Sequence, residues 1–415
     1  MTSEVAILNR HGIAIAADSA VTVGEERVWK TTNKIFSLGP QNDIGVMVYG
    51  AGAFCGFPWE IVVKAFKSQN TESFSLTSTC AERFQEFLND ERWKNPIHER
   101  LTAITIIVNE IVDLDDQSDK DNATAFRRSA KHLLETWIEV AQSKDILLDD
   151  IEYDAFIEEF GEDIEKTRTE HIPFHFPRYL DSLLKNYLFE YLRRSECKTD
   201  YESGVVICGY GDEEYYPTLY ELIVDGRYSG RARCWMGRIA NLNEDPMQSA
   251  QIIPFAQRDM TNLFMEGISG AYRGYFQTMI RQILEKKTKD IVDNYPGDED
   301  EKAVERALQE RTDREIAQRV TKDVLDFRLN EFVQPLMSNV QGLPREEMAA
   351  MAESLVELTS LRRKVDSVIQ TVAGPVDVAF ISKPDGFIWM KRKHYFDRNL
   401  NSDFFTRKRA LTEAT

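Results

Sequence analysis

Strand-forming text stands in three widely separated parts of this chain. Val5-Ala6-Ile7-Leu8 and Ile13-Ala14-Ile15-Ala16-Ala17 lie near one end, with a second pair at Lys34–Leu38 and Ile44–Tyr49. Gly204–Gly209 and Thr218–Val224 lie in the middle, and Val376–Ile381 with Phe387–Met390 near the other end. Between them run long, charge-rich stretches of helical spacing, about 75–200 and 259–369. A strand needs partners, so any sheet here must be assembled from segments far apart in the chain, with the helical blocks layered against it. That requirement selects a layered α+β fold. No internal repeat is visible, and 415 residues suffice for one domain carrying large insertions or for two ordinary domains.

Local signals set the details. Asn9-Arg10-His11-Gly12 joins the first two runs, Gly39-Pro40-Gln41-Asn42-Asp43 the next two, and Lys383-Pro384-Asp385-Gly386 the last two, all turn-prone text that predicts hairpins. Trp59–Phe66 has the spacing of an amphipathic helix, and Tyr179–Leu192 closes the first helical block with another. The strand at Thr218 is expected to end in a turn at Asp225-Gly226, and the acidic segment Asp293–Glu301 breaks the second helical block.

The formal net charge of −18 argues against a nucleic-acid partner, because phosphate binding draws on clustered Lys and Arg. No apolar run approaches the ~20 residues of a membrane helix, and the first residues lack a secretion signal, so a cytoplasmic protein is expected. Cys55, Cys80, Cys197, Cys208 and Cys234 are scattered and odd in number, which predicts free thiols. His171 and His175 stand four apart, but Pro173 between them and the lack of a third ligand argue against a metal site. The acidic clusters, such as Asp113-Leu114-Asp115-Asp116, are expected to be solvated helix faces.

Thr2 is the residue with the most chemical promise. A threonine hydroxyl needs a base within hydrogen-bond reach. When threonine is the first residue, its own α-amine, with a pKa of about 7.7–8.0, can serve. A nearby ammonium keeps that amine neutral, and a carboxylate keeps the ammonium charged and placed. Thr2, Asp18 and Lys34 supply the three groups, at offsets of 16 and 32 residues from the threonine.

These offsets, together with Ala16-Ala17-Asp18-Ser19-Ala20, Asn33-Lys34-Ile35-Phe36 and Tyr49-Gly50-Ala51-Gly52-Ala53, resemble the proteasome β-subunit family of N-terminal-nucleophile hydrolases. The resemblance is strongest over the first 65 residues and extends to 204–226 and 374–391. It implies one proteasome-like domain over 1–415, a four-layer αββα sandwich whose core is about 1–70, 200–260 and 370–395. The helical insertions are then about 70–200 and 260–370. It further implies a threonine-type peptidase in which removal of Met1 exposes Thr2, Lys34 tunes the amine, Asp18 holds Lys34 and the Gly50 amide binds the oxyanion. By the same register Val21, Thr32, Val48 and Gly52 line the substrate pocket. No cofactor is implied. The expected partners are a peptide or unfolded protein, further copies in a homo-oligomeric ring, and an ATPase unfoldase.

The chain also departs from the family. The stretch Ile252–Gln257 lacks the serine expected after the middle strands, and Gln370 and Ala373 stand where an Asp and a Ser usually precede the last hairpin, with Asp366 and Ser367 slightly upstream. Two alternatives therefore stay open: an amidase of the same fold acting on a small molecule, and a non-catalytic scaffold.

Overall fold

The computed structural model describes residues 3–23, 27–29, 32–196, 199, 202–244, 249–366, 374–393, 401 and 406. From the N-terminus run β1 (Ser3–Asn9) and β2 (Gly12–Ala17), joined by the two-residue turn Arg10-His11. A small hairpin the sequence did not announce follows, β3 (Val21–Val23) with β4 (Arg27–Trp29). Next come β5 (Ile35–Ser37) and β6 (Asp43–Gly50), then the short pair β7 (Ala53–Phe54) and β8 (Phe57–Pro58), leading into α1 (Trp59–Gln69). The first helical block holds α2 (Thr77–Phe87), α3 (Pro96–Gln117), α4 (Ala123–Gln142), α5 (Tyr153–His171) and α6 (Arg178–Arg193). Asn95 and Asn122 cap α3 and α4 by accepting backbone N–H bonds at the first turn.

The middle strands are β9 (Ser203–Tyr210), β10 (Thr218–Tyr228), β11 (Arg231–Asn241) and β12 (Ala250–Ala256). Asp225-Gly226 is not the turn expected there. The β10–β11 register shifts between Val224 and Arg227 while Gly226 takes φ +77°, so the pair forms a bulge and β10 runs on to Tyr228. The reversal falls at Ser229-Gly230, both left-handed (φ +51° and +78°), as a two-residue hairpin favours. The second helical block comprises α7 (Asp259–Glu266), α8 (Gly270–Asp293), α9 (Glu299–Arg328), α10 (Gln334–Gln341) and α11 (Arg345–Asp366). The acidic break holds: Asp298 caps α9 in a reciprocal box with Glu301. β13 (Asp377–Ser382) and β14 (Gly386–Lys391) close the chain as the expected hairpin. Among the described residues no helix is long and apolar enough to cross a membrane.

The chain divides into two compact units. One comprises residues 1–32, 245–380 and 389–415, the other 33–244 and 381–388. In the first, the antiparallel sheet runs β12-β1-β2-β13-β14. Alternate residues of its strands, among them Val5, Ile7, Ala14, Ala16, Val378 and Phe380, share a core with Met348, Ala352, Leu355 and Val356 of α11. Pro254 sits in β12 at the sheet's edge, where its missing N–H costs no ladder bond.

In the second unit the antiparallel order is β11-β10-β9-β6-β5. Ile44, Val46, Val48, Val205, Ile207, Leu222 and Val224 project from one face onto Val62 and Phe66 of α1 and Phe84 of α2. Each such aliphatic side chain contributes roughly 1.5–3 kcal/mol by its burial. Helices α3 to α6 form a separate core around Ile107, Phe126, Phe160 and Leu184. Within this unit Arg233 and Asp225, both wholly buried, pair at 2.6 Å, and the Thr199 backbone N–H also donates to Asp225.

Candidate active site

The first unit fixes the residues next to Thr2. Thr2 itself lies outside the described residues, as do Ser367, Gln370, Ala373 and Cys197. The β1–β2 register opposes Glu4 to Ala17, which sets Asp18 across from Ser3. The Asp18 N–H donates to the Ser3 carbonyl at 3.1 Å, and the Ser3 N–H returns a bond to Asp18 Oδ1 at 3.1 Å. Asp18 Oδ2 accepts from the Ala20 N–H at 3.3 Å. Asp18 is 1% exposed, so these backbone donors take a share of the place water would have at its side-chain oxygens. Ser19 Oγ donates to the Pro375 carbonyl at 2.7 Å, and the Ser19 carbonyl accepts from the N–H of half-buried Thr32 at 3.1 Å. Val21 opens β3 opposite Trp29.

Sequence reading missed the strand on the other side of β1. Ile252–Gln257 read only as the place of an absent serine; instead Ala250–Ala256 is a strand whose last residue pairs with Ser3. Ala256 is left-handed at φ +51°, which turns the chain sharply beside the start of β1. Gln257 follows, buried, with its Oε1 accepting from Arg363 Nε at 2.6 Å. The only local hint was β-branched Ile252-Ile253, and Pro254 masked it.

The second unit carries Lys34 and Gly50. Lys34 precedes β5 and is 4% exposed; its carbonyl accepts the Val48 N–H at 2.9 Å, which ties it to β6. Gly50 ends β6 opposite Ser203, exposed, at φ +82°. An added Cβ there would lie 2.4 Å from the Glu202 carbonyl oxygen, so only glycine fits. The turn beyond it is stapled on both sides. The Ala51 N–H donates to the Glu202 carbonyl at 3.0 Å, and Ser203 Oγ accepts from Trp59 Nε1 and donates to the Ala51 carbonyl, each at 3.0 Å. The Trp59 N–H reaches the carbonyl of exposed Gly52 at 3.3 Å. Val48 is 5% exposed and belongs to the apolar core of β6 and α1.

Tyr49, on the opposite face of β6 from Val48, donates its hydroxyl to Glu221, whose carboxylate also accepts from Arg238 Nε at 3.1 Å and the Arg238 N–H at 2.9 Å. Burial pushes the Glu221 carboxyl up, but the bonds from Arg238 and Tyr49 outweigh it and hold the group below its ordinary value. Gly204 lets the Tyr49 ring lie against β9, since a Cβ would meet that ring at 2.0 Å. The residue before Gly50 is thereby anchored.

No group of three or more metal-ligating side chains occurs among the described residues. His171 ends α5 and His175 lies beyond it. Cys55, Cys80, Cys208 and Cys234 are buried free thiols, pushed by burial to about 12 for Cys55, Cys208 and Cys234 and higher still for Cys80.

No protein-family model and no curated protein matches the chain. Among solved structures it is similar to Anbu (ancestral beta-subunit) from Yersinia bercovieri, 9% identical over 100% of this chain and 97% of that one, with a TM-score of 0.31. It is likewise similar to the Anbu (Gly-1) mutant from Hyphomicrobium sp. strain MC1, 10% identical over 100% and 98%, again with a TM-score of 0.31. Scores of that size are too low to establish a shared fold.

Proposed function

We propose that the chain is an N-terminal-nucleophile hydrolase of the threonine-peptidase type. The observation that carries the reading is the clamp between Asp18 and Ser3. A fully buried carboxylate grips the amide of the residue directly after Thr2, at the offset the sequence picked out for that carboxylate. Burial of Lys34 and the glycine-only backbone at Gly50 support it.

In this reading, cleavage of the bond before Thr2 frees its amine. Thr2 Oγ attacks the scissile carbonyl of a peptide while the amine takes the hydroxyl proton and then passes it to the leaving amine. Lys34 holds the amine neutral, Asp18 fixes the backbone and the cation, and the Gly50 N–H meets the developing oxyanion. Water then releases the acyl group from Oγ and restores the proton. Val21, Thr32, Val48 and Gly52 remain the candidate pocket residues. The four-layer order, an unfolded-protein substrate delivered by an ATPase, a homo-oligomeric ring and a cytoplasmic location belong to the same proposal.

One observation favours a non-catalytic scaffold instead. β12 ends in Ala256, with no hydroxyl, beside Ser3. Intact mass separates the two readings: a catalyst begins at Thr2 and gains one adduct from a threonine-reactive electrophile, lost in Thr2→Ala. A mature chain that keeps residues before Thr2 and takes no adduct would falsify the hydrolase.

A further inference from the structure

Beside the start of β1 stands a buried polar pair that the proposed mechanism leaves unused. β12 passes into α7 through Ala256, Gln257 and Arg258. Ala256 pairs with Ser3 and turns the chain there through its left-handed φ of +51°, which takes Gln257 out of the strand's alternation. Gln257, 8% exposed, meets α11 instead, where its Oε1 accepts from Arg363 Nε at 2.6 Å. That charge-assisted bond fixes the amide, with its oxygen toward α11 and its NH2 turned away from the guanidinium. Burying an amide costs free energy that an apolar residue at this end of β12 would not incur.

The charges around this place lean toward the acidic side. Glu4 and Asp18 flank Ser3, one along β1 and one across from it, and each is 1% exposed. Ionised carboxylates so near an α-amine favour its ammonium form, the opposite of what a general base needs. In the proposed site Lys34 is one cation against these two acids. Among the described side chains of the first unit, Arg258 and Asp259 stand at the start of α7, and Arg362, Arg363 and Lys364 near the end of α11; all but Arg363 are exposed. Arg363 is 27% exposed, and its contact with Asp259, at 3.8 Å, is to a carboxylate 89% exposed and therefore a weak partner. Its charge is thus little compensated.

We propose that Gln257 and Arg363 supply a second positive influence on the Thr2 amine: the Gln257 NH2 donates to the amine nitrogen, and Arg363, holding the amide from behind, disfavours the ammonium by its charge. This role rests on the reading of Thr2 as the nucleophile and adds two residues to it. Gln257 favours the neutral amine because that form alone keeps a lone pair to accept the bond. Arg363 acts through Gln257 and is a positioning residue.

The pH dependence of Thr2 labelling by a threonine-reactive electrophile, followed by intact mass of the full chain, tests it. In wild type the rate should rise with pH through the apparent pKa of the amine. Arg363→Met should move that midpoint up by roughly half a unit or more, the scale of one unit charge at ~10 Å, with the plateau rate at high pH kept within about twofold. Arg363→Lys keeps the charge and should recover most of the shift. Gln257→Leu removes the donor and detaches the cation, so it should raise the midpoint by itself, and Arg363→Met added to it should move it little further. Midpoints unmoved in both Arg363→Met and Gln257→Leu overturn the proposal, and so does an equal shift in Arg363→Met and Arg363→Lys, which marks a packing role. A wild type that takes no adduct at Thr2 overturns the nucleophile reading itself, a result seen before any variant is made.

Discussion

Replacing Gly50 by alanine isolates the one backbone feature on which the proposed oxyanion donor depends. Two terms add. Alanine held at φ +82° is disfavoured by roughly 1–2 kcal/mol, the ordinary penalty of a left-handed L-residue. Its Cβ would also lie 2.4 Å from the Glu202 carbonyl oxygen, so the end of β6 must part from β9, and the bond from the Ala51 N–H to that carbonyl is lost, about 0.5–1.5 kcal/mol. Gly230→Ala is the built-in control, since Gly230 has nearly the same φ, +78°, in the same unit, but no atom within 4 Å of an added Cβ. It incurs the first term alone. Urea unfolding followed by tryptophan fluorescence should therefore show Gly50→Ala roughly 1 kcal/mol or more below Gly230→Ala. Covalent labelling of Thr2 should slow about 10²-fold in the first variant and stay unchanged in the second. Equal stability and equal labelling in the two variants would refute both the steric reasoning and the role given to Gly50.

Three further outcomes rest on buried groups. Arg233→Met strands the Asp225 carboxylate in the second unit and should cost about 3–5 kcal/mol in chemical unfolding, with part recovered in Arg233→Met/Asp225→Leu. Because Glu221 is held below its ordinary value of 4.5, its contribution to stability is complete above that pH and lost as acid titrates it through the lowered native value. Glu221→Gln should therefore lose less stability than wild type on acidification below about pH 4.5, as thermal midpoints would show. Cys55, Cys80, Cys208 and Cys234 should resist iodoacetamide at pH 8 in the native protein and react together once urea unfolds it, a contrast read by intact mass.

Elements marked by turn chemistry were legible in the sequence. Asn9–Gly12, the break at Asp293–Glu301 and Lys383–Gly386 each announced a reversal found where expected, because Gly, Pro, Asn and Asp act on their own backbone. β11 and β12 were not legible. Arg231, Arg233 and Arg238 make β11 look like surface, yet Arg233 is buried against Asp225 and half-buried Arg238 pairs with buried Glu221, partners that only the fold supplies. Of the candidate site, local text singled out Asp18 and Gly50 as residues, but not the bond between Asp18 and the Ser3 amide. The place of Val48 in the apolar core was not legible because spacing cannot say which face of β6 meets α1, and Gln257 was missed because β12 reaches β1 across the length of the chain.

That separation bears on biosynthesis. The edge of β1 stays open until β12 emerges, roughly 240 residues later, an interval of about 12–50 s at ~5–20 residues per second. Throughout it β1 has only β2 beside it in the sheet. Only then does Ala256 come to lie opposite Ser3.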